Sequence, residues 1–299
     1  MLAFLNTVLG PVLSSFMIII MVTFMALLID FLLPSFKKWT RMFVLLIVLT
    51  VAVQPAFEHF TFIQQITFAI SSLFIGIYPI LTAAILASGG TFNLLNFQPA
   101  MLLFANGSIY LANHLLIPAL MGAFVLDIAS RFLPEVSFKR LSELIRTTLL
   151  GAVSAIVAAY SIFITVGGTM SWALSGLASE PIKELIQQNI PVIGSFMTES
   201  IGSIGRYSSG VTVFVGSWFM VSIWTVALVP SFKTLLTALF YKWMAAFIEP
   251  FSDEQLTGFL DDIGKTLFVL CAISFLIAFA FIYTTIFIVV LVKLLTITK

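Results

Sequence analysis

The run TLFVLCAISFLIAFAFIYTTIFIVVLV at residues 266–292, closed by Lys293, decides the fold. It contains no charged side chain and exceeds the ~20 apolar residues that carry a helix across the hydrocarbon of a bilayer. Similar runs fill most of the chain, at 3–32, 41–57, 62–88, 97–115, 117–133, 146–168, 211–229 and 234–250. The composition agrees, with 61% hydrophobic and 9% charged residues and a mean hydropathy of +1.15, against about a quarter charged in soluble domains. The sequence therefore predicts an all-α, polytopic integral membrane helical bundle of about seven to nine spans. One transmembrane domain covers 1–299, with no room for a large soluble one.

Several function classes are excluded at this level. A net charge of +1 supplies no clustered Lys and Arg for phosphates, so no nucleic acid is expected as partner. The single cysteine, Cys271, forbids an internal disulfide, and Cys271, His59 and His114 are too scattered to read as a metal-ligand set. No cofactor and no enzymatic activity are expected. The first run, Leu2 to Leu33, lacks a basic n-region and is too long for a signal peptide, so it reads as a retained span.

Lys and Arg set the orientation. If every run crosses once, Lys37, Lys38, Arg41, Arg131, Lys139, Arg140, Arg146, Lys233, Lys293 and Lys299 share one side, with Lys183, Arg206 and Lys265 opposite and Lys242 inside a span. The positive-inside rule makes the first side cytoplasmic, with the N-terminus outside and the C-terminus inside. Residues 97–133 read either as one helix kinked at Pro118 or as two spans turning at Asn113 and His114. Two spans keep Lys37 and Lys139 on one face, so nine crossings are preferred. Glu58, Glu180, Glu184, Glu199, Glu249, Asp253, Glu254, Asp261 and Asp262 then lie outside, as a solvated face or one that meets a basic partner.

A junction repeats. Pro34-Ser35-Phe36-Lys37 returns as Pro230-Ser231-Phe232-Lys233, with a looser copy from Pro134 to Lys139. Gln54-Pro55-Ala56-Phe57 and Glu249-Pro250-Phe251 follow the first and third copies, as if each closed a helix. The pattern suggests duplicated helical hairpins in parallel orientation, or three convergent span entries. Lysine in a first helical turn opposes the helix dipole, so Lys37, Lys139 and Lys233 read as cytoplasmic anchors whose ammonium groups snorkel to headgroups.

Residues 169–210 form an extracytoplasmic connection. Ile182, Leu185, Ile186 and Ile190 share one helical face there and Lys183, Glu184, Gln187 and Gln188 the other, which suits an interfacial helix. Pro191, Gly194, Gly202, Gly205 and Gly210 follow, with serines between. Irregular backbone at membrane depth survives only against protein or water, so this segment is a candidate re-entrant pore element, with an ordinary external loop as the alternative.

Other polar groups punctuate the spans. Gln64, Gln65, Asn106, Asn113, His114 and Lys242 suit interhelical hydrogen bonds or a functional path. Asp30 and Asp127 are expected to pair with Lys37 or Arg131 and lock helix ends. Gly151, Ala155 and Ala159 share a face that permits close approach. The stretch Gly258 to Thr266 imitates a phosphate loop, but its glycine spacing is wrong, and Asp261 and Asp262 would repel phosphate.

These residues also carry a resemblance. Tyr78-Pro79-Ile80-Leu81-Thr82-Ala83-Ala84-Ile85-Leu86-Ala87-Ser88-Gly89-Gly90, Lys139-Arg140-Leu141 leading to Ile145-Arg146, Pro191-Val192-Ile193-Gly194, Phe232-Lys233 to Pro250, and Ile263-Gly264-Lys265 are similar to the stage III sporulation protein AE family, over residues 70–295. The order and spacing carry the match. The resemblance implies a multi-pass protein of the mother-cell membrane in endospore-forming bacteria. It implies membership of the channel-like feeding-tube assembly between mother cell and engulfed forespore, which sustains late forespore gene expression. It also implies that relatives carry a secretion signal and an extracytoplasmic region before the membrane domain. Expected partners are membrane lipid, the other proteins of that complex and further copies of the chain. The family supplies no catalytic residues to carry over. The competing reading is a self-sufficient secondary transporter, which the repeats and interrupted helices suit. An intramembrane enzyme would need a converging nucleophile and base, and nothing in the sequence aligns Ser203 with His114.

Overall fold

The structure is a computed structural model that describes residues 2–87, 98–132, 138–163, 214, 217–218, 221–222 and 224–297. Among the described residues the regular elements are helices: α1 (Leu2–Leu32), α2 (Lys37–Ala87), α3 (Gln98–Leu111), α4 (Ile117–Phe132), α5 (Lys139–Phe163), α6 (Val229–Ile248) and α7 (Glu254–Ile297). A π-helical turn over Ala112–Leu116 joins α3 to α4, and another over Trp224–Leu228 leads into α6. Among these residues six helical runs are long and apolar enough to cross a membrane, so the protein is an all-α membrane protein.

Two helix ends lie at prolines. Leu33 leaves the helix at φ −133°, ψ 71°, and Pro34–Phe36 forms a short 3-10 turn before α2, because the residue before proline is pushed out of the helical region. At the other end of α6, Ile248 is still helical at φ −86°, ψ −20°, Glu249–Phe251 forms a 3-10 turn, and the chain leaves it at Ser252, extended at φ −134°, ψ 169°.

Elsewhere three expected breaks are absent. The spans predicted at 41–57 and 62–88 are one helix of 51 residues, about 75 Å long and more than twice the ~30 Å hydrocarbon thickness. The spans predicted at 97–115 and 117–133 meet in one helical run over the described residues 98–132, through the π turn and without a hairpin at Asn113 and His114. Pro230 to Lys233, expected as a junction, lies inside the continuous run Trp224–Phe251. Among the described residues this leaves six candidate spans, near the expected seven to nine.

The reason lies in how the interior prolines are accommodated. Both π turns end two residues before a proline, Pro118 and Pro230. A proline ring collides with the carbonyl four residues earlier and offers no N–H; widening the preceding turn to the π pattern relieves that collision without ending the helix. Near Pro55, Tyr241 donates its hydroxyl to the Ala52 carbonyl at 3.0 Å. That carbonyl is one residue beyond Val51, whose carbonyl is the one Pro55 leaves without an N–H.

The chain forms two compact units, each assembled from three stretches of sequence. Unit 1 comprises 1–66, 113–152 and 229–274, and unit 2 comprises 67–112, 153–228 and 275–299. In unit 1, α1 packs against α6, with Phe16 edge-on to Phe247 at 6.5 Å. Phe57, Phe60 and Phe124 interlock with centroids 5.5–6.2 Å apart, and Ser231 meets Ser274 at 2.6 Å beside the buried Cys271. In unit 2, Phe104 stacks on Tyr160 at 4.3 Å and Phe74 meets Phe281 edge-on at 4.8 Å. Met17, Met21, Phe24 and Phe31 on α1 and Trp39 and Phe43 on α2 are exposed, as a lipid-facing surface requires.

Candidate functional site: a buried ion-pair network in unit 1

Charges inside apolar segments are costly and are therefore the first place to look for function. Asp127 on α4, Arg146 on α5 and Asp262 on α7 are buried, at 2%, 5% and 3% exposure, and they converge. Arg146 pairs through Nη2 with Asp127, whose other oxygen accepts the Ser142 hydroxyl. Its Nε donates to Thr266 at 3.1 Å, and its Nη1 lies 3.7 Å from Asp262. Arg131 donates to Asp262 at 2.6 Å. Two arginines thus balance two aspartates, and three helices are tied by one set of hydrogen-bonded charges.

The backbone makes room for it. A Cβ at Gly258 would stand 3.2 Å from the Arg131 guanidinium, so the arginine crosses α7 where a side chain is missing. At Gly264 a Cβ would stand 2.8 Å from Lys242 Cγ and 3.1 Å from the Ala238 carbonyl, so α6 and α7 approach closely only because of glycine. The phosphate-loop imitation is therefore two helix-packing glycines within a continuous helix.

At its margin the network opens. Lys242 Nζ lies 3.3 Å and Lys265 Nζ 2.9 Å from the two oxygens of Asp261. All three are about one-third exposed, and Lys265 also reaches Asp262 at 3.6 Å. A second link, between Arg41 and Asp253 at 2.9 Å, joins the first turns of α2 to the turn before α7.

These pairs correct the predicted topology. Asp253, Asp261 and Asp262 were expected on the face opposite Arg41, Arg131 and Arg146, yet Asp253 and Asp262 are bonded to them. The expected partners of the aspartates change too. Asp127 takes Arg146, with Arg131 going to Asp262, and Asp30 lies 3.8 Å from Arg41.

The other sequence-predicted residues divide. Lys37 and Lys139 open α2 and α5 and are exposed. Lys233 is half-buried within α6, its ammonium 5.4 Å above the Phe62 ring, next to a His59 to Thr234 hydrogen bond of 3.1 Å. The candidate pore residues Pro191, Gly194, Gly202, Gly205 and Gly210, and the interfacial helix before them, lie outside the described residues. Arg146 and Asp262 were not recognised as intramembrane charges from sequence; their place within otherwise apolar runs was the available signal. Among the described residues no group of His, Cys, Asp and Glu has a metal-binding arrangement.

Comparison with known proteins places this architecture. Residues 3–293 match the family described as stage III sporulation protein AE. The chain belongs to that family. The Bacillus subtilis (strain 168) protein named stage III sporulation protein AE is 24% identical over 211 residues, covering 71% of this chain and 53% of that relative. The chain thus spans about half the length of the curated relative it matches. No solved structure matches it. Membership assigns the membrane bundle and its ion-pair network to a sporulation protein.

Proposed function

We propose that this protein is a non-enzymatic, integral-membrane component of the channel assembly between mother cell and forespore, working with other proteins of that assembly. The family match over residues 3–293 carries the reading. The geometry supports a structural role within the assembly. The buried carboxylates Asp127 and Asp262 are each held by arginine, which favours a rigid scaffold over a carboxylate that loads and releases a coupling ion. Any conducting backbone would come from residues 191–210.

The deciding experiment deletes the gene in its native host and scores engulfed forespores for late transcription, with rescue by the intact copy. Arrest after engulfment, restored by the gene, is the expected result; normal spores would overturn the assignment. Flux through the purified protein alone in liposomes would favour the self-sufficient transporter.

The orientation follows the positive-inside rule, with Lys37, Lys38, Arg41, Lys139 and Arg140 cytoplasmic, Lys37 and Lys139 as anchors, and the N-terminus outside. Because α7 starts at a turn bonded to Arg41, a single crossing by α7 carries the C-terminus outward, reversing the side expected from nine crossings. In a Cys271→Ser background, Lys299→Cys should label with an impermeant reagent in intact cells and Lys139→Cys should not; the opposite pattern would sink this topology.

A further inference from the structure

We propose that Lys242 and Lys265 form a binding site for the phosphate diester of an anionic phospholipid. Three observations converge on it. First, the two ammonium groups share the single carboxylate of Asp261, so this trio keeps one positive charge in excess. Among the described residues, the neighbouring Arg131, Arg146, Asp127 and Asp262 balance one another and leave no carboxylate over to neutralise it. A phosphate diester carries the one negative charge that is missing.

Second, the groups are open. Lys242, Asp261 and Lys265 are 37%, 35% and 39% exposed, on helices whose large exposed side chains are apolar. Charges at such a place must meet water or headgroups, because hydrocarbon cannot solvate them. Their positions are also fixed. Lys242 lies across Gly264 and its ammonium sits 5.8 Å from the Phe268 ring, which reduces the entropy lost on binding.

Third, the surface continues as a lipid would. Asp261, Lys265, Phe268 and Ala272 follow one another at helical spacing, and each is partly exposed while most of α7 around them is buried. The stripe begins with charge and becomes apolar. On α6, Trp243 and Phe247 share an exposed face beside Lys242, and a tryptophan there suits the headgroup boundary. A headgroup on the two lysines would lay its acyl chain along Phe268 and Ala272. This continuity favours a lipid over free phosphate, which has nothing to place on the apolar stripe.

The inference rests on α6 and α7 lying in the membrane, and it is independent of the channel role. The test uses the full-length protein in nanodiscs of phosphatidylcholine with increasing phosphatidylglycerol, and native mass spectrometry of the lipids retained on release. The wild type should retain phosphatidylglycerol about fivefold over phosphatidylcholine, the scale of one uncompensated lysine at an anionic headgroup. Lys242→Gln with Lys265→Gln should bring the ratio to parity. Asp261→Asn should raise it, which loss of structure would not do, so the site stays testable even if the double variant folds poorly. Equal retention in all three proteins, or displacement of the lipid by millimolar inorganic phosphate, would overturn the proposal. Failure to enter nanodiscs at all would instead overturn the membrane reading beneath it.

Discussion

Arg146 in unit 1 and Tyr160 in unit 2 sit on the same helix, α5, and each fastens it to α7 by different chemistry. Arg146 does so with charge, binding Asp127, Asp262 and Thr266. Tyr160 does so with a hydroxyl and a ring: it donates to the Ala280 carbonyl at 3.1 Å, meets Thr284, stacks on Phe104 and packs edge-on against Phe279 and Tyr283. Among the described residues of unit 2, Lys293 alone carries a charge. Helices in an apolar solvent gain little from hydrophobicity and rely on packing and on polar contacts. The difference teaches that unit 1 holds its helices by contacts that fail badly when one partner goes, and unit 2 by contacts that fail gradually.

Removing Arg146 should break the comparison open. Arg146→Met leaves Asp127 buried without its cation, and truncating one partner of a buried pair costs ~3–5 kcal/mol. The midpoint of thermal unfolding in detergent, tracked by tryptophan fluorescence, should fall accordingly. Asp127→Leu combined with Arg146→Met should recover at least half of that loss, since an apolar pair of similar volume avoids the desolvation cost. If the single variant unfolds like the wild type, the network contributes nothing to the fold.

The helix contact beside the network ranks next. Gly264→Val places a side chain against Lys242 and the Ala238 carbonyl, and overpacking of that kind costs ~1–3 kcal/mol. The lysine can move aside; the carbonyl cannot. Limited proteolysis at the turn before α7 should quicken in this variant, and less in Gly258→Ala, whose Cβ would meet only the end of the flexible Arg131 side chain at 3.2 Å.

Unit 2 supplies the gentler test. Tyr160→Phe removes the hydroxyl but keeps the stacking on Phe104, and an interhelical hydrogen bond in a membrane protein is worth ~0.6 kcal/mol, rarely above ~1.7. A loss in the same unfolding assay as large as that of Arg146→Met would erase the distinction between the units. Smallest of all should be Arg41→Gln, whose half-exposed pairs with Asp253 and Asp30 fall in the range of ~0–1 kcal/mol.

Much of this fold was legible in the sequence. The run at 266–292 and its counterparts announced membrane helices, and the turns at Pro34 and Pro250 appear where proline meets Ser and charged residues. The misreadings were local and shared a cause. Pro55, Pro118 and Pro230 looked like breaks, but the helix continues through each, with a widened π turn ahead of Pro118 and of Pro230. The site was legible only as unpaired parts. Asp127 with Arg131 is the natural pair at four-residue spacing, and the sequence does not show that Gly258 opens a path from Arg131 to Asp262.

Length, apolar runs and the scarcity of charge therefore determined by themselves that this chain is a helical membrane protein, because the cost of burying unsatisfied backbone leaves long apolar segments few other structures. Which charges meet was decided by tertiary structure alone. Asp127 finds Arg146 on the next helix, and Asp262 finds Arg131 from a helix far along the chain. Such pairing depends on helix register and on the clearance that glycine leaves, and neither is written in local sequence.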